Sequence, residues 1–276
     1  MKYNAACISD LDGTLLGSNR KLSPANLSIL TELGELGICR VLCTGRSLWS
    51  VRRVIYNDDP FDYVIFATGA GIMDWKTQQM VYACDLNRQQ ISKVYHALEA
   101  CKIDYMLHHA VPDTHFMHYR PIRGSQDFWE RIDYYKAFAQ ELTSANIGDF
   151  EAATQFMAIV DGKDEDVYLH LLKELHPLNT IRTTSPIDMQ SLWIEIFAPE
   201  VSKGRTIKWF LQMLNLGLQD IMVIGNDYND EDMLALGATA YVPENAPQEL
   251  KEQYINVAHH DTDGFCEAVT HWLENR

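Results

Sequence analysis

The feature that most limits what this chain can fold into is a short apolar run that stops abruptly at a polar tip containing glycine, and it occurs three times before residue 72. Residues 3–9 end at Asp10-Leu11-Asp12-Gly13, residues 38–43 at Thr44-Gly45-Arg46, and residues 63–67 at Thr68-Gly69-Ala70-Gly71. Runs this short and this continuously apolar fit strands buried on both faces, as in a parallel sheet. Between the first two runs, Ser23-Pro24 places an N-cap residue before a proline, and Leu27, Leu30, Leu33 and Leu36 follow before Gly37; the spacing predicts a helix over 24–36. Leu48, Val51, Val54 and Ile55 give helical spacing again. Strand, helix, strand, helix, strand is the signature of a doubly wound, Rossmann-like α/β sheet.

The alternation lapses from about residue 84 to 197, where the chain is rich in Tyr, His and Met. Strands are expected there at 156–160, 180–184 and 192–197, with a helix at 165–175. The α/β pattern then resumes: a helix over 204–216, a strand over 220–224 ending at Gly225-Asn226-Asp227, a helix near 233–236 and a last short strand at 239–242. The expected organisation is a discontinuous core, residues 1–83 and 199–276, with an α+β domain inserted at 84–198. A length of 276 residues sits at the border between one large domain and two.

Charge narrows the function classes. The 38 acidic side chains outnumber the 23 basic ones, for a formal net charge of -15, which argues against nucleic acid as a partner. Nor does any run of about 18 uncharged apolar residues point to a membrane partner or a signal peptide. The six cysteines form no C-x-x-C pair and lie mostly in apolar runs. The expectation is a soluble cytoplasmic protein with reduced thiols.

In an open parallel sheet, ligands gather beyond the carboxyl ends of the strands, where strand order reverses. The polar tips lie at those ends. Asp10 and Asp12 crowd two carboxyl groups on one turn, so they either share a proton or hold a hard cation such as Mg²⁺. Thr44 offers a hydroxyl and Gly45 an unobstructed backbone N–H before a helix, a setting that favours an anion. Lys203, in Ser202-Lys203-Gly204, precedes another helix and offers a point charge to a phosphate oxygen. Asn226, Asp227, Asn229 and Asp230 form a third oxygen-rich cluster suited to a hard cation. Taken singly, each has a plain structural reading: an Asp-x-Asp-Gly turn, a helix entry, a solvated lysine, a helix-capping turn.

Taken together and in this order, Asp10-Leu-Asp-Gly-Thr-Leu, Thr44-Gly-Arg, Ser202-Lys-Gly and Gly225-Asn-Asp-Tyr-Asn-Asp-Glu-Asp-Met-Leu, the chain resembles the haloacid dehalogenase superfamily, and within it the Cof-type hydrolases with a class IIB cap. The resemblance covers the core at both ends of the chain; the cap matches only in size and place. It implies that Asp10 attacks phosphorus, that Asp12 serves as general acid and base, and that Thr44 and Lys203 grip the phosphoryl oxygens, with Gly45 and Arg46 at the substrate rim. It further implies Mg²⁺ held by the Asp10 carboxylate, the Asp12 backbone carbonyl and the last motif. A carboxylate at Asp12 sets the chain with the phosphate-ester members. The implied activity is a phosphatase acting on a small phosphorylated metabolite such as a sugar phosphate, a nucleotide or pyridoxal phosphate. A phosphomutase of the phosphomannomutase type and a non-catalytic phospho-ligand sensor are the alternatives.

Two positions depart from the family pattern. Asn226 stands where Gly-Asp is usual, which leaves Asn226 or Asp227 as the direct metal ligand and Asp230 as a further candidate. Thr68-Gly69 stands where Asn-Gly is common. Elsewhere, His108, His109, His115 and His118 cluster beside Asp113 without a recognised zinc spacing, and read as a polar face of the inserted domain. Arg120 and Arg123 are candidate substrate contacts, and Trp129, Tyr134, Tyr135 and Phe138 read as helix packing.

Overall fold

A computed structural model describes residues 3–185, 187–237 and 239–276. Met1, Lys2, Pro186 and Ala238 lie outside the described residues. The chain divides into two compact units: the first is Met1–Arg46, Ser50–Tyr82 and Ser202–Arg276, and the second is Ser47–Trp49 with Ala83–Val201.

In chain order, the elements begin with β1 (Ala5–Ser9), α1 (Pro24–Glu35), β2 (Ile38–Cys43), α2 (Leu48–Val51), β3 (Tyr63–Phe66), β4 (Gly71–Asp74) and β5 (Gln79–Ala83). There follow β6 (Leu86–Asn87), α3 (Arg88–Cys101), β7 (Asp104–His109), β8 (Met117–Arg120), α4 (Gln126–Tyr134), β9 (Ala139–Glu141), β10 (Ala152–Val160), α5 (Glu165–Glu174), β11 (Asn179–Thr184) and β12 (Leu192–Phe197). The chain closes with α6 (Lys203–Leu214), β13 (Ile221–Ile224), α7 (Glu231–Leu234), β14 (Thr239–Pro243), α8 (Gln248–Lys251), β15 (Ile255–Val257) and α9 (Gly264–Glu274).

The sheet of the first unit runs β15-β14-β13-β1-β2-β3-β4-β5. β1 pairs in parallel with β2 on one side and β13 on the other, so strand order reverses at β1 and the loops after β1, β2 and β13 open toward one crevice. Every residue of β1 and β2 is buried, which explains their unbroken apolar reading. Arg40, inside β2, is the exception: Asp62 accepts its Nε and Nη2 at 2.9 Å each, satisfying the charge in place. Ala6, Ile8, Val41, Ile65 and Val223 of the sheet pack with Ile207 and Phe210 of α6 and Met233 of α7. Burying a side chain such as Phe210 contributes about 2–3 kcal/mol. At the start of α1, Ser23 Oγ accepts the N–H of Asn26 at 3.1 Å, with Pro24 beginning the helix as read from the sequence.

From β15 to β3 every strand pair is parallel, as the doubly wound reading expects, and at the edge β4 turns back antiparallel to β3. Two readings need correction. The helix after Arg46 stops at Val51; the Ile55 N–H still reaches Val51 O at 2.9 Å, so the helical spacing of 48–55 continues only as turns. β14 is not the last strand: β15 follows, a three-residue edge too short to show a pattern, and α9 comes after it.

The second unit is a sheet in the order β11-β12-β10-β7-β8-β9, with β6 on β10. It is antiparallel apart from the β8–β9 pair. His109 and His118 stack across β7 and β8 with Nε2 and Nδ1 3.3 Å apart, and His108 Nδ1 lies 2.8 Å from Thr114 O. No three of the four histidines in this stretch bring donor atoms together as a metal set among the described residues. Arg120 pairs with Glu99 and Arg123 with Asp164, so both are tied within the unit. Trp129 and Tyr134 are exposed on α4, whereas Phe138 packs edge-on against His115 and Phe116. Among the described residues, no helix is long and apolar enough to cross a membrane.

Asp104, at the start of β7, is fully buried and organises the next loop. Its Oδ1 accepts the N–H groups of Ile122, Arg123 and Gly124 at 2.7, 2.7 and 2.9 Å, and its Oδ2 accepts that of Ser125 at 3.0 Å. Burial alone raises the carboxyl, but the four donors outweigh it and hold it below the ordinary carboxylate range. A depressed folded value stabilises above the unfolded pKa of about 3.9 and is lost as pH falls through the folded value. Asp104→Asn is therefore expected to cost about 2–3 kcal/mol in urea unfolding at pH 7, with the deficit shrinking near pH 3. A deficit equal at both pH values contradicts this reading.

Candidate active site

The three strand tips and the start of α6 meet at the switch point. Asp10 follows β1, and its N–H continues the ladder to Ile224 O at 2.9 Å, so the β1 and β13 tips are registered side by side. Lys203, the first residue of α6, is fully buried and donates from Nζ to Asp10 Oδ1 at 2.7 Å and to Asp230 Oδ1 at 2.5 Å. Ser202 caps the helix by accepting the N–H of Arg205 at 3.1 Å, which fixes where Lys203 leaves the backbone.

Asp230 is fully buried and has both oxygens committed to protein donors. Its Oδ2 accepts the N–H groups of Asn226 and Asp227 at 2.9 and 3.2 Å, so one carboxylate ties Lys203 to the tip of β13. Gly225 is needed here, since a Cβ at that position would stand 2.6 Å from Asp230 Cγ.

The Asn226 amide oxygen accepts the Thr14 hydroxyl at 3.0 Å, while its nitrogen lies against Gly13. Gly13 itself has φ +70, the left-handed turn that redirects the chain after Asp12. Asp227 Oδ1 accepts the Tyr228 N–H at 2.7 Å. Asp12 lies on the rim, with its side chain half exposed, and Arg46 clamps it from Nε and Nη2 at 2.6 Å each. Thr44 is buried; its Oγ accepts the N–H of Arg46 at 3.2 Å and its backbone oxygen accepts that of Thr68 at 3.1 Å. Gly45 follows with open space except toward Thr68 Oγ1, 3.6 Å from where a Cβ would stand.

Charge is crowded here. Burial, then Asp230, push Asp10 up to about 7, and Lys203 pulls it back only in part. Burial raises Asp227 as well, whereas the two carboxylates raise Lys203 and keep it charged. Buried carboxylates that resist ionisation call for further positive charge. The groups read from the sequence as cation ligands offer only hard oxygens: the Asp10 carboxylate, the Asp12 carbonyl, Asp227 and the Asn226 amide. That set fits a hard divalent cation rather than a thiophilic one.

Some contributors have roles that the sequence does not show. Asn245 donates from Nδ2 to Gly13 O at 2.8 Å, bracing the turn after Asp12 from 232 residues away. Asp232 accepts the Gly204 N–H at 2.9 Å, fastening the start of α6 to α7. An isolated Asn and one Asp in an acidic stretch look like surface residues until the fold brings them together.

The comparisons with known proteins place this chain among the hydrolases. A family model described as haloacid dehalogenase-like hydrolase matches residues 7–269, and the chain belongs to that family. It is 23% identical over 272 residues to the HMP-PP phosphatase of Cronobacter sakazakii, covering 96% of this chain and 94% of that one. Among solved structures, a phosphatase of the superfamily from Bacteroides thetaiotaomicron aligns with TM-score 0.81 at 18% identity over 98% of this chain and 96% of that one. A subclass IIB sugar phosphatase aligns with TM-score 0.76 at 16% identity over 97% and 98%.

Thr68, where the family resemblance leads one to expect Asn, occupies a backbone conformation that suits Asn better. It lies buried in the left-handed region at φ 58, directly after Ala67 at φ 48. A β-branched residue there costs about 1–2 kcal/mol, and Asn tolerates the conformation. Thr68→Asn is expected to stabilise the protein by about 0.5–1 kcal/mol, read as a Tm higher by about 1–3 °C. A lower Tm would show that packing of the threonine methyl outweighs the strain.

Proposed function

We propose that this protein is a Mg²⁺-dependent phosphatase that hydrolyses a small phosphorylated metabolite through an aspartyl-phosphate on Asp10. The observation that carries the reading is a buried carboxylate at the end of β1, held through Oδ1 by a lysine that is itself pinned by Asp230. A carboxylate fixed in this way has lost little freedom still to lose when it attacks.

In the first step an Asp10 oxygen forms a bond to phosphorus as the bond from phosphorus to the leaving oxygen breaks, and Asp12 gives that oxygen a proton. In the second step Asp12 takes a proton from water, the water oxygen bonds to phosphorus, and the bond to Asp10 breaks, regenerating the carboxylate. The Thr44 hydroxyl, the Gly45 N–H and Lys203 hold phosphoryl oxygens. The Asp10 carboxylate, the Asp12 carbonyl and Asp227 would hold the cation, which supplies positive charge against that developing on the transferred group. Asp227 is preferred to Asn226 because the Asn226 oxygen already accepts from Thr14.

Arg46 has a specific part in this scheme. Bound to both oxygens of Asp12, it holds that carboxylate at the rim of the crevice. An incoming phosphoryl group competes for the guanidinium, and the exchange frees the Asp12 carboxylate to take up a proton from solvent and deliver it to the leaving oxygen. The names of the similar proteins, an HMP-PP phosphatase and a sugar phosphatase, support a small phosphorylated metabolite for this chain, with sugar phosphates, nucleotides and pyridoxal phosphate as candidates.

The test is inorganic phosphate release from p-nitrophenyl phosphate and a panel of phosphorylated metabolites. Activity should require Mg²⁺, vanish in EDTA and return when Mg²⁺ is restored. Asp10→Asn should lower kcat by about 10³-fold or more. Full turnover by that variant contradicts the nucleophile, and isomerisation of a hexose phosphate without phosphate release makes the protein a mutase instead.

A further inference from the structure

Away from the hard-oxygen site, His259, His260 and Asp261 bring two imidazole nitrogens and a carboxylate oxygen within 4.8 Å of one another, the one such group of three among the described residues. Asp261 Oδ2 stands 3.7 Å from His259 Nδ1 and 3.8 Å from His260 Nε2. Donors about 2.0–2.1 Å from a tetrahedral ion stand roughly 3.3 Å apart, so each imidazole need close by only about half an ångström on the carboxylate oxygen for the three to share an ion.

The donors are also aimed. His260 Nδ1 lies 2.8 Å from Leu16 O, and a carbonyl only accepts, so the ring hydrogen is on Nδ1 and the lone pair is on Nε2. A backbone carbonyl behind the far nitrogen is how metal-binding histidines are oriented. His259 Nδ1 accepts the Asp261 N–H at 3.2 Å, so it too presents a lone pair, in a long bond that an ion would replace. Asp261 is held by Ser18, whose N–H reaches Oδ1 and whose hydroxyl reaches Oδ2, both at 2.6 Å.

We propose that His259, His260 and Asp261 bind a borderline divalent transition-metal ion of the Zn²⁺ class, with water completing the shell. Two imidazoles and one carboxylate suit such an ion and not Mg²⁺. The site fastens the chain before α9 to the loop after β1. Through Asn245, which accepts the His260 N–H at 3.2 Å and donates to Gly13 O at 2.8 Å, it also reaches the turn that follows Asp12. Occupancy therefore restrains residues 13–18, the loop on which Asp12 depends.

The experiment titrates the metal-stripped full chain with Co²⁺ in excess Mg²⁺, so that hard-oxygen sites are filled, and reads visible absorption together with amide hydrogen exchange. The wild type should take up one equivalent at micromolar Co²⁺ with the intense bands of a four-coordinate ion, lose them to one equivalent of Zn²⁺, and show slowed exchange at residues 16–18. His259→Ala, at a partly exposed ring whose hydrogen bond among the described residues is the local one from the Asp261 N–H, should fold normally by circular dichroism and lose both signals, and His260→Ala should lose them too. Uptake by His259→Ala identical to wild type, or no uptake by the wild type below millimolar Co²⁺, overturns the proposal. Neither readout depends on whether the chain hydrolyses phosphate esters.

Discussion

The site is organised around one buried ammonium group between two buried carboxylates. Lys203, with no exposed surface, contacts Asp10 and Asp230 at once. One positive charge cannot neutralise two negative ones, and burial makes the deficit costly. The deficit falls unequally: Asp230 has two backbone N–H donors besides the lysine, whereas among the described residues the Asp10 carboxylate accepts from the lysine alone. The residual charge is therefore concentrated on the carboxylate at the crevice, where a cation and a phosphoryl group would meet it.

Much of the surrounding structure serves that contact. β1 and β13 must be neighbours to set Asp10 beside the 225–227 turn, Gly225 must lack a side chain to admit Asp230, and Ser202 must cap α6 to deliver Lys203. The cluster is poor value as a source of stability, since buried ion groups seldom repay their desolvation. Its physical benefit is geometric, because a carboxylate held on one oxygen has little freedom left to lose before reaction.

The first unit could be read from sequence because its strands are buried on both faces and so appear as unbroken apolar runs; β1, β2, β3 and β13 fall where those runs lie, each ending at a polar tip. The second unit was harder to read. Its sheet is largely antiparallel, and in strands such as β7 polar residues, Asp104 and two histidines, cut the buried apolar run to three residues. Residues whose chemistry is intrinsic, Asp10, Thr44 and Lys203, stood out by position. Those that act through partners, such as Asn245 and Asp232, did not, because their contacts are 232 and 28 residues distant. The pairing of Arg46 with Asp12 lay between these cases: both were singled out, but their bond depends on two loops that only the folded sheet brings together.

A double-mutant cycle on Lys203→Met and Asp230→Asn, followed by urea unfolding, bears on the lysine contact itself. Lys203→Met leaves two buried carboxylates facing each other and should cost about 3–5 kcal/mol, Asp230→Asn leaves the lysine paired with Asp10 and should cost less, and the double variant should cost less than the sum by about 2 kcal/mol or more. Strictly additive costs would mean that Lys203 and Asp230 do not share a charge, and the account of how Asp10 is held would fail with them.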